Sequence, residues 1–188
     1  MPHLPLPPPT ERILFKSPTY HDAPDMVTIL SKPEVALPVA VIPQPYTLAD
    51  ALAWIQHSHE DEKRTGSQCF SLWYHATPCL SGVLQLVGNA GIHRTLDTPQ
   101  SAELGYWLDT SVWGQGIATE VLTALVAHAR TTLALTSLVA TVALNNRASQ
   151  RVLEKAGFTQ GDTFTLHTVR GEARPSYRYH LLELEGIP

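Results

Sequence analysis

Two glycines separated by one residue stand where the hydrophobic pattern of the chain changes. Gly114 and Gly116 follow an alternating segment, and after them apolar residues recur every three to four positions to about Arg130. Alternation is typical of a strand and the longer period of a helix, so a strand, a glycine turn and a helix are predicted. Because the first N–H groups of a helix lack partners and lie at the positive end of its dipole, this order predicts an anion site.

Two common phosphate-binding patterns do not describe this turn. The segment lacks the Lys-Ser/Thr ending of a P-loop, and Gly114-x-Gly116 is followed by Thr119 where a dinucleotide fingerprint has glycine. The glycine pair alone is also compatible with a structural turn or helix cap. Its meaning therefore depends on its context.

Metal and hydrolase sites have little support in the sequence. Nine histidines are present, but His57 and His59 are only two apart, and no His-Glu-x-x-His pattern or Gly-x-Ser-x-Gly elbow occurs. We therefore predict no metal. His93 is interpreted either as an exposed loop residue or as a residue lining a substrate pocket.

The elements that must position these residues follow from periodicity and turn signals. A capping box at Thr47 begins the second predicted helix, and Gly157 closes the last one. Strands are predicted at residues 12–16, 68–74, 82–91, 103–108, 138–144, 158–166 and 177–184, and helices at residues 22–30, 48–62, 117–130 and 146–156. The strand at 103–108 is predicted to be covered on both faces.

Bulk composition narrows the class of protein. The 188 residues suit one domain, and 44% hydrophobic with 16% charged content is ordinary for a globular chain. A net charge of −4 and the lack of a basic run argue against a nucleic-acid partner. Cys69 and Cys79 are too few for a disulfide framework, and no apolar stretch is long enough to span a membrane. A cytoplasmic protein is expected.

Two segments in a fixed order resemble the motifs of the GNAT acyltransferase superfamily. The first is Glu103-Leu104-Gly105-Tyr106-Trp107-Leu108 followed by Trp113-Gly114-Gln115-Gly116-Ile117-Ala118-Thr119-Glu120. The second is Asn146-Arg147-Ala148-Ser149 followed by Val152-Leu153-Glu154-Lys155-Ala156-Gly157-Phe158. Thr10-Glu11-Arg12 and Trp54 strengthen a match to the Rim-type N-acetyltransferase branch. The resemblance covers about residues 10–184.

This resemblance implies a fold and a co-substrate. The expected fold is a single α/β (α+β) domain over residues 10–188, preceded by a Pro-rich arm at residues 1–9. Its mixed, twisted sheet of about seven strands would have helices on both faces and a gap between the fourth and fifth strands. Acetyl-CoA is the implied co-substrate. Its expected contacts are the Leu108 backbone, the segment Trp113, Gly114, Gln115, Gly116, Ile117, Ala118 and Thr119, and also Asn146 and Ser149.

The same resemblance suggests catalytic residues for acetylation of an amine. An attacking amine needs a proton acceptor, for which Glu103 is the candidate, although a solvated carboxylate and a water chain are alternatives. Ser149, the third helical residue after Asn146, either completes a helix cap or is the donor to the leaving thiolate. Many relatives have Tyr where this chain has Leu153.

The acceptor is expected to be a peptide N-terminus or a small-molecule amine, and the protein a monomer or homodimer. The alternative function is a non-catalytic acyl-CoA-binding module, which the Leu153 departure motivates.

Overall fold

A computed structural model describes residues 4–75 and 84–182. Within these residues the strands are β1 (Ile13–Lys16), β2 (Gln68–Tyr74), β3 (Gln85–Arg94), β4 (Ser101–Leu108), β5 (Ser137–Ala143), β6 (Thr159–His167) and β7 (Ala173–Leu182). The helices are α1 (Ala23–Leu30), α2 (Pro33–Ala36), α3 (Leu48–Thr65), α4 (Ile117–Thr131) and α5 (Arg147–Lys155). Short 3-10 turns cover Tyr20–Asp22 and Thr110–Val112.

The seven strands form one mixed sheet in the order β1-β2-β3-β4-β5-β7-β6. Only β4 and β5 are parallel, and they pair solely from Ser101 with Ser137 to Glu103 with Val139. Beyond those residues the two strands separate toward their carboxyl ends. The predicted seven-stranded mixed sheet and the gap between its fourth and fifth strands are therefore confirmed.

Helices cover both faces of the sheet, as expected. On one face the buried side of α4 packs on alternate residues of β4, including Leu104 and Leu108. Trp107, which points the other way because strand residues alternate, packs with α1, α2 and α3. Two apolar clusters thus hold the central strands from opposite sides.

Coverage of β4 differs from the prediction at one end. Glu103 and Gly105 are exposed, whereas Trp107 on the same face is buried. The expectation of a strand covered on both faces is wrong there, because the helices of the second cluster reach only the Trp107 end. That opening leaves the Glu103 carboxylate accessible beside the gap.

Most element boundaries lie within a few residues of the predictions. The capping box at Thr47 is present, and Gly157 follows α5 with φ +91°. Strand β3 continues to Arg94, β7 begins at Ala173, and α2 was not predicted because four residues are too few to show periodicity. Two ends of predicted strands lie outside the described residues: the start of one at residues 82–83 and the end of another at residues 183–184.

The described part of the Pro-rich arm, residues 4–9, contains neither helix nor strand. It nevertheless lies against the domain, because the Pro5 carbonyl accepts a hydrogen bond from Gln68 Nε2 at 3.1 Å. Gln68 also bonds His128 on α4 at 2.8 Å. This contact ties the arm to the sheet and to the helix that follows the glycine turn.

Candidate functional site

The N-terminus of α4 is an exposed turn with a left-handed backbone. Gly114 has φ +72° and Gly116 has φ +81°, a region that residues with a Cβ rarely adopt. A Cβ at Gly114 would meet nothing within 4 Å, and one at Gly116 would meet only Arg12 Nη2 at 3.8 Å. Glycine is therefore required here by backbone conformation, and the space above the turn is open.

No side chain of the described residues caps this end of α4. The helix is 15 residues long, so its dipole places positive charge at the turn, where the first N–H groups remain available. Gly114, Gln115 and Gly116 are exposed. These features together suit a bound anion.

A segment from the start of the chain braces the turn from one side. Arg12 Nη1 donates to the Gln115 carbonyl at 2.9 Å, and Arg12 Nε donates to Glu120 Oε2 at 2.8 Å. Thr10 Oγ1 also donates to Glu120, at 2.5 Å. Burial alone would raise the pKa of Glu120, but the hydrogen bonds from Thr10 and Arg12 outweigh it and hold that pKa below its ordinary value. The carboxylate is therefore charged and anchors residues 10–12 to the first turn of α4.

A second set of contacts fixes the loop between β4 and the glycine turn. Asp109 is buried, accepts from the Ser111 amide at 2.8 Å, and forms an ion pair with Lys32 Nζ at 2.5 Å. Burial opposes ionisation of Asp109, yet the bonds from Lys32 and Ser111 lower its pKa. Gln115 Nε2 donates to the Ser111 carbonyl at 2.9 Å. The loop is thus held before any ligand arrives.

The Leu108 backbone faces the gap between β4 and β5. The Asp109 amide donates to Val87 at 2.7 Å, so the preceding pair, Leu108 with Gly88, is a non-hydrogen-bonded pair of the antiparallel ladder. Its backbone groups therefore point away from β3. The Leu108 carbonyl accepts from Trp113 Nε1 at 2.8 Å, which leaves the N–H directed into the gap.

The N-terminus of α5 is built differently. Asn146 Oδ1 accepts from the Ser149 amide at 3.1 Å and so caps the helix. The Ser149 hydroxyl instead lies 3.0 Å from the hydroxyl of Tyr106 on β4. Ser149 thus completes the cap of Asn146 through its amide, while its hydroxyl contacts Tyr106.

Sequence reasoning missed Tyr106 as a site residue. Its position between Leu104 and Leu108 predicts the correct face of β4, but nothing in the sequence relates it to a helix residue 43 positions later. Burial raises the pKa of the Tyr106 phenol, and the bond with Ser149 offsets this only in part. The phenol is therefore neutral and available as a donor.

Glu103 lies on the opposite face of β4 from Tyr106, because the two residues are three positions apart and side chains of a strand alternate between its faces. Its carboxylate is exposed and accepts from Thr141 Oγ1 of β5 at 2.8 Å. Glu103 belongs to the last β4–β5 pair before the strands separate. The carboxylate and the two hydroxyls therefore flank one gap from opposite sides.

His93 is exposed, as one interpretation expected, but it belongs to β3 and not to a loop. It pairs with Glu103 across the β3–β4 ladder. A Cβ built on Gly91 would lie 2.5 Å from His93 Nε2, so the imidazole rests over that glycine. Although the residue is exposed at the surface, the protein atoms packed around the imidazole desolvate it and lower the pKa of His93 more than the Glu103 charge raises it.

The described residues bear on three further predictions, which concern metal binding, the cysteines and membrane-spanning helices. Among the described residues, no group of three His, Cys, Asp or Glu side chains lies together as a metal site. Cys69 is a free thiol whose pKa burial raises to about 12, while Cys79 lies outside the described residues. None of the described helices has the length and apolar character needed to cross a membrane.

A family model described as the acetyltransferase (GNAT) domain matches residues 12–159. The chain is 35% identical over 74 residues to the uncharacterized N-acetyltransferase YoaA of Bacillus subtilis (strain 168), covering 39% of this chain and 42% of YoaA. Over 74 residues it is also 35% identical to the ribosomal-protein-serine acetyltransferase of Escherichia coli (strain K12), covering 39% of this chain and 41% of that protein. The match thus spans about two-fifths of each relative.

A solved structure shares the fold over nearly its whole length. RimL, a ribosomal L7/L12 alpha-N-protein acetyltransferase in complex with coenzyme A, superposes with a TM-score of 0.77 at 18% identity. The match covers 94% of this chain and 97% of that one. At this identity the likeness concerns the fold.

Proposed function

The chain belongs to the acetyltransferase (GNAT) domain family, and we propose that it transfers an acetyl group from acetyl-CoA to a primary amine by direct attack on the thioester. The observation that carries this proposal is the uncapped, glycine-lined N-terminus of α4 at the edge of the β4–β5 gap. A diphosphate group suits that turn, and an acyl-pantetheine arm suits a gap between two separating strands.

The residues of the turn fit the co-substrate. Positive φ angles at Gly114 and Gly116 direct the α4 end outward without a Cβ in the way, and N–H groups from Gly114 to Thr119 would hold the pyrophosphate. Leu108 would contribute its N–H to the pantetheine arm, while Asn146 would support the neighbouring helix start. When bound, acetyl-CoA supplies the activated carbonyl and a thiol leaving group.

Trp113 and Gln115 act mainly within the turn. The Trp113 indole bonds the Leu108 carbonyl, and the Gln115 side chain bonds the Ser111 carbonyl. Their proposed contribution to co-substrate binding is therefore to fix the backbone, with Ile117 and Ala118 adding amides to the same turn.

The catalytic roles follow from the two sides of the gap. Glu103 would accept a proton from the amine on the exposed face, directly or through water. Ser149 would donate to the departing sulfur on the opposite face, where it meets Tyr106. Because the amine would arrive on one face and the thiol would leave on the other, the Glu103 carboxylate and the Ser149 hydroxyl could act in the same step.

The acceptor class proposed is a primary amine, with a peptide N-terminus ahead of a small molecule. One relative is named a ribosomal-protein-serine acetyltransferase, which favours a peptide. A cytoplasmic location, where acetyl-CoA and newly made protein N-termini meet, belongs to the same proposal, as does a monomeric or homodimeric state without nucleic acid.

A non-catalytic acyl-CoA-binding module remains the competing function. Its motivation is Leu153, whose side chain is buried in the core and offers no proton donor to the gap. Tyr106 and Ser149 supply two hydroxyls from elsewhere, which favours the enzyme.

Turnover separates the two functions. We would incubate the protein with acetyl-CoA and a panel of peptides, polyamines and amino acids, and measure free thiol release together with the mass of each amine. Transfer requires both a thiol signal and a mass gain by one acetyl group. Saturable acetyl-CoA binding with neither signal across the panel would favour the binding module.

A further inference from the structure

The hydroxyls of Tyr106 on β4 and Ser149 on α5 meet beside the gap between β4 and β5. Their oxygens are 3.0 Å apart, although one residue is in the sheet and the other in the first turn of a helix. Tyr106 is half-buried against the main apolar cluster, so its phenol has little access to water. A half-buried phenol held to one serine is a specific arrangement, and the proposed reaction alone does not account for it.

Either hydroxyl of this pair can donate the hydrogen bond to the other. The Ser149 amide is already committed to Asn146 Oδ1, so the hydroxyl is the free polar group of this residue. A phenol, with a pKa of about 10, is a better donor than an alkyl hydroxyl, which both accepts and donates. With the Tyr106 O–H donating to Ser149 Oγ, the Ser149 hydrogen is free to point elsewhere into the gap.

We infer that Tyr106 is a positioning residue that orients the Ser149 hydroxyl and strengthens it as the donor to the departing sulfur. This inference rests on the proposed acetyl transfer. As the nitrogen–carbon bond forms and the carbon–sulfur bond breaks, Ser149 donates a hydrogen bond to the departing sulfur, and Tyr106 donates one to Ser149 Oγ. The proton of the amine goes to Glu103 or water, as proposed above, and the thiolate takes its proton from solvent as coenzyme A leaves.

Chained hydroxyls polarise one another, so each becomes a stronger donor than it is alone. The loss of one such hydrogen bond of about 0.5–1.5 kcal/mol corresponds to roughly a two- to tenfold change in rate. Tyr106→Phe removes the phenol oxygen and keeps the ring. It should therefore slow transfer by up to about tenfold while Ser149 remains.

The test is a double-mutant cycle of Tyr106→Phe and Ser149→Ala in the full chain. The first readout is the thiol pKa of bound coenzyme A, followed by the ultraviolet absorbance of its thiolate as pH is raised. The second is the single-turnover rate with any amine that the panel identifies. Tyr177→Phe is the matched control, because Tyr177 packs on the same cluster, its ring contacts that of Tyr179, and its hydroxyl has no hydrogen bond to another described residue.

We expect Tyr106→Phe to raise the thiol pKa of bound coenzyme A in the wild-type background and to have no effect when Ser149 is already Ala. Tyr177→Phe should match wild type. An equal effect of Tyr106→Phe in both backgrounds, or no effect in either, would overturn the inference. If the wild type binds coenzyme A and acetylates no amine, the proposed function fails, while the thiol measurement still decides the role of Tyr106.

Discussion

The two helices that begin at the gap have opposite kinds of N-terminus. Helix α4 begins after a left-handed glycine, and within the described residues no side chain occupies its first N–H groups. Helix α5 begins at Asn146, whose side chain takes the amide of Ser149. One end thus exposes its backbone, and the other satisfies its backbone and presents a hydroxyl.

Because of this difference, the two helix ends are proposed to have separate functions, one in binding the co-substrate and the other in the chemical step. An exposed backbone end suits an anion, because N–H groups and dipole act together. A capped end cannot do the same, yet it holds Ser149 firmly where Tyr106 can reach it. Binding is therefore expected to depend on α4, and the chemical step on α5.

The largest expected effect tests the chemical side. Ser149→Ala should slow the single-turnover rate by roughly 10²–10⁴-fold, because the donor to the leaving thiolate is lost. Stability should change little, since the Asn146 cap bonds the residue 149 amide, which alanine keeps. Single-turnover kinetics and thermal unfolding on one preparation measure both.

The control for that prediction is Asn146→Ala. Removing the true cap should cost about 0.5–2 kcal/mol of stability, whereas Asn145→Ala, an exposed neighbour, should cost almost nothing. A Ser149→Ala protein that is destabilised but transfers acetyl at the wild-type rate would return Ser149 to a structural role.

Glu103 lies on β4 and belongs to neither helix, so its replacement tests whether the chemical step can change while co-substrate binding does not. Glu103→Gln should lower turnover by about 10²-fold and leave acetyl-CoA affinity nearly unchanged, because the amide keeps the shape but accepts no proton. Rates across pH and isothermal titration with acetyl-CoA measure the two quantities. Unaltered turnover at every pH, with the chemical step limiting, would assign the base role to water or another group.

The binding side is tested by Gly116→Val. A β-branched residue at φ +81° is strained and places methyl groups over the first N–H groups, so coenzyme A affinity should fall about 10- to 100-fold. Gly171→Val is a matched control, because Gly171 has φ +80° and a Cβ there would meet nothing within 4 Å, but it lies in the β6–β7 turn. Equal affinities of the two folded variants would remove the turn from the binding site.

The smallest expected effect is on stability and concerns the brace of α4, which is formed by the hydrogen bonds of Thr10 and Arg12 with Glu120. The folded-state pKa of Glu120 is lowered, so its contribution is present above the ordinary value of 4.5 and is lost as pH falls through the lower folded value. Glu120→Gln should therefore cost about 2 kcal/mol of stability near neutral pH, and the difference should vanish in acid.

Urea unfolding of wild type and Glu120→Gln at several pH values measures this difference, with Glu11→Gln as the exposed control. If the difference in unfolding free energy between wild type and Glu120→Gln stayed constant down to the lowest pH, the charge of Glu120 would not be what holds residues 10–12 against α4.

The sequence predicted one of these two helix ends better than the other. The glycine turn and helix α4 follow from local signals, because a left-handed turn needs glycine and the apolar period changes there. The brace by Arg12 and the Tyr106–Ser149 pair join residues more than 40 positions apart, which no local pattern contains. Asn146 and Ser149 are both typical helix-start residues, so only the structure shows which of them is the cap.

Amide chemical shifts of the isotopically labelled wild-type protein test the central claim most directly. Coenzyme A and pantetheine, which lacks the phosphates, would be titrated separately, and the shifts that only coenzyme A produces would be mapped. The account predicts that these shifts are largest at the amides of Gly114 to Thr119 and small at the Ser149 amide, which Asn146 already holds. Phosphate-dependent shifts centred on α5, or spread evenly over both helix ends, would contradict it.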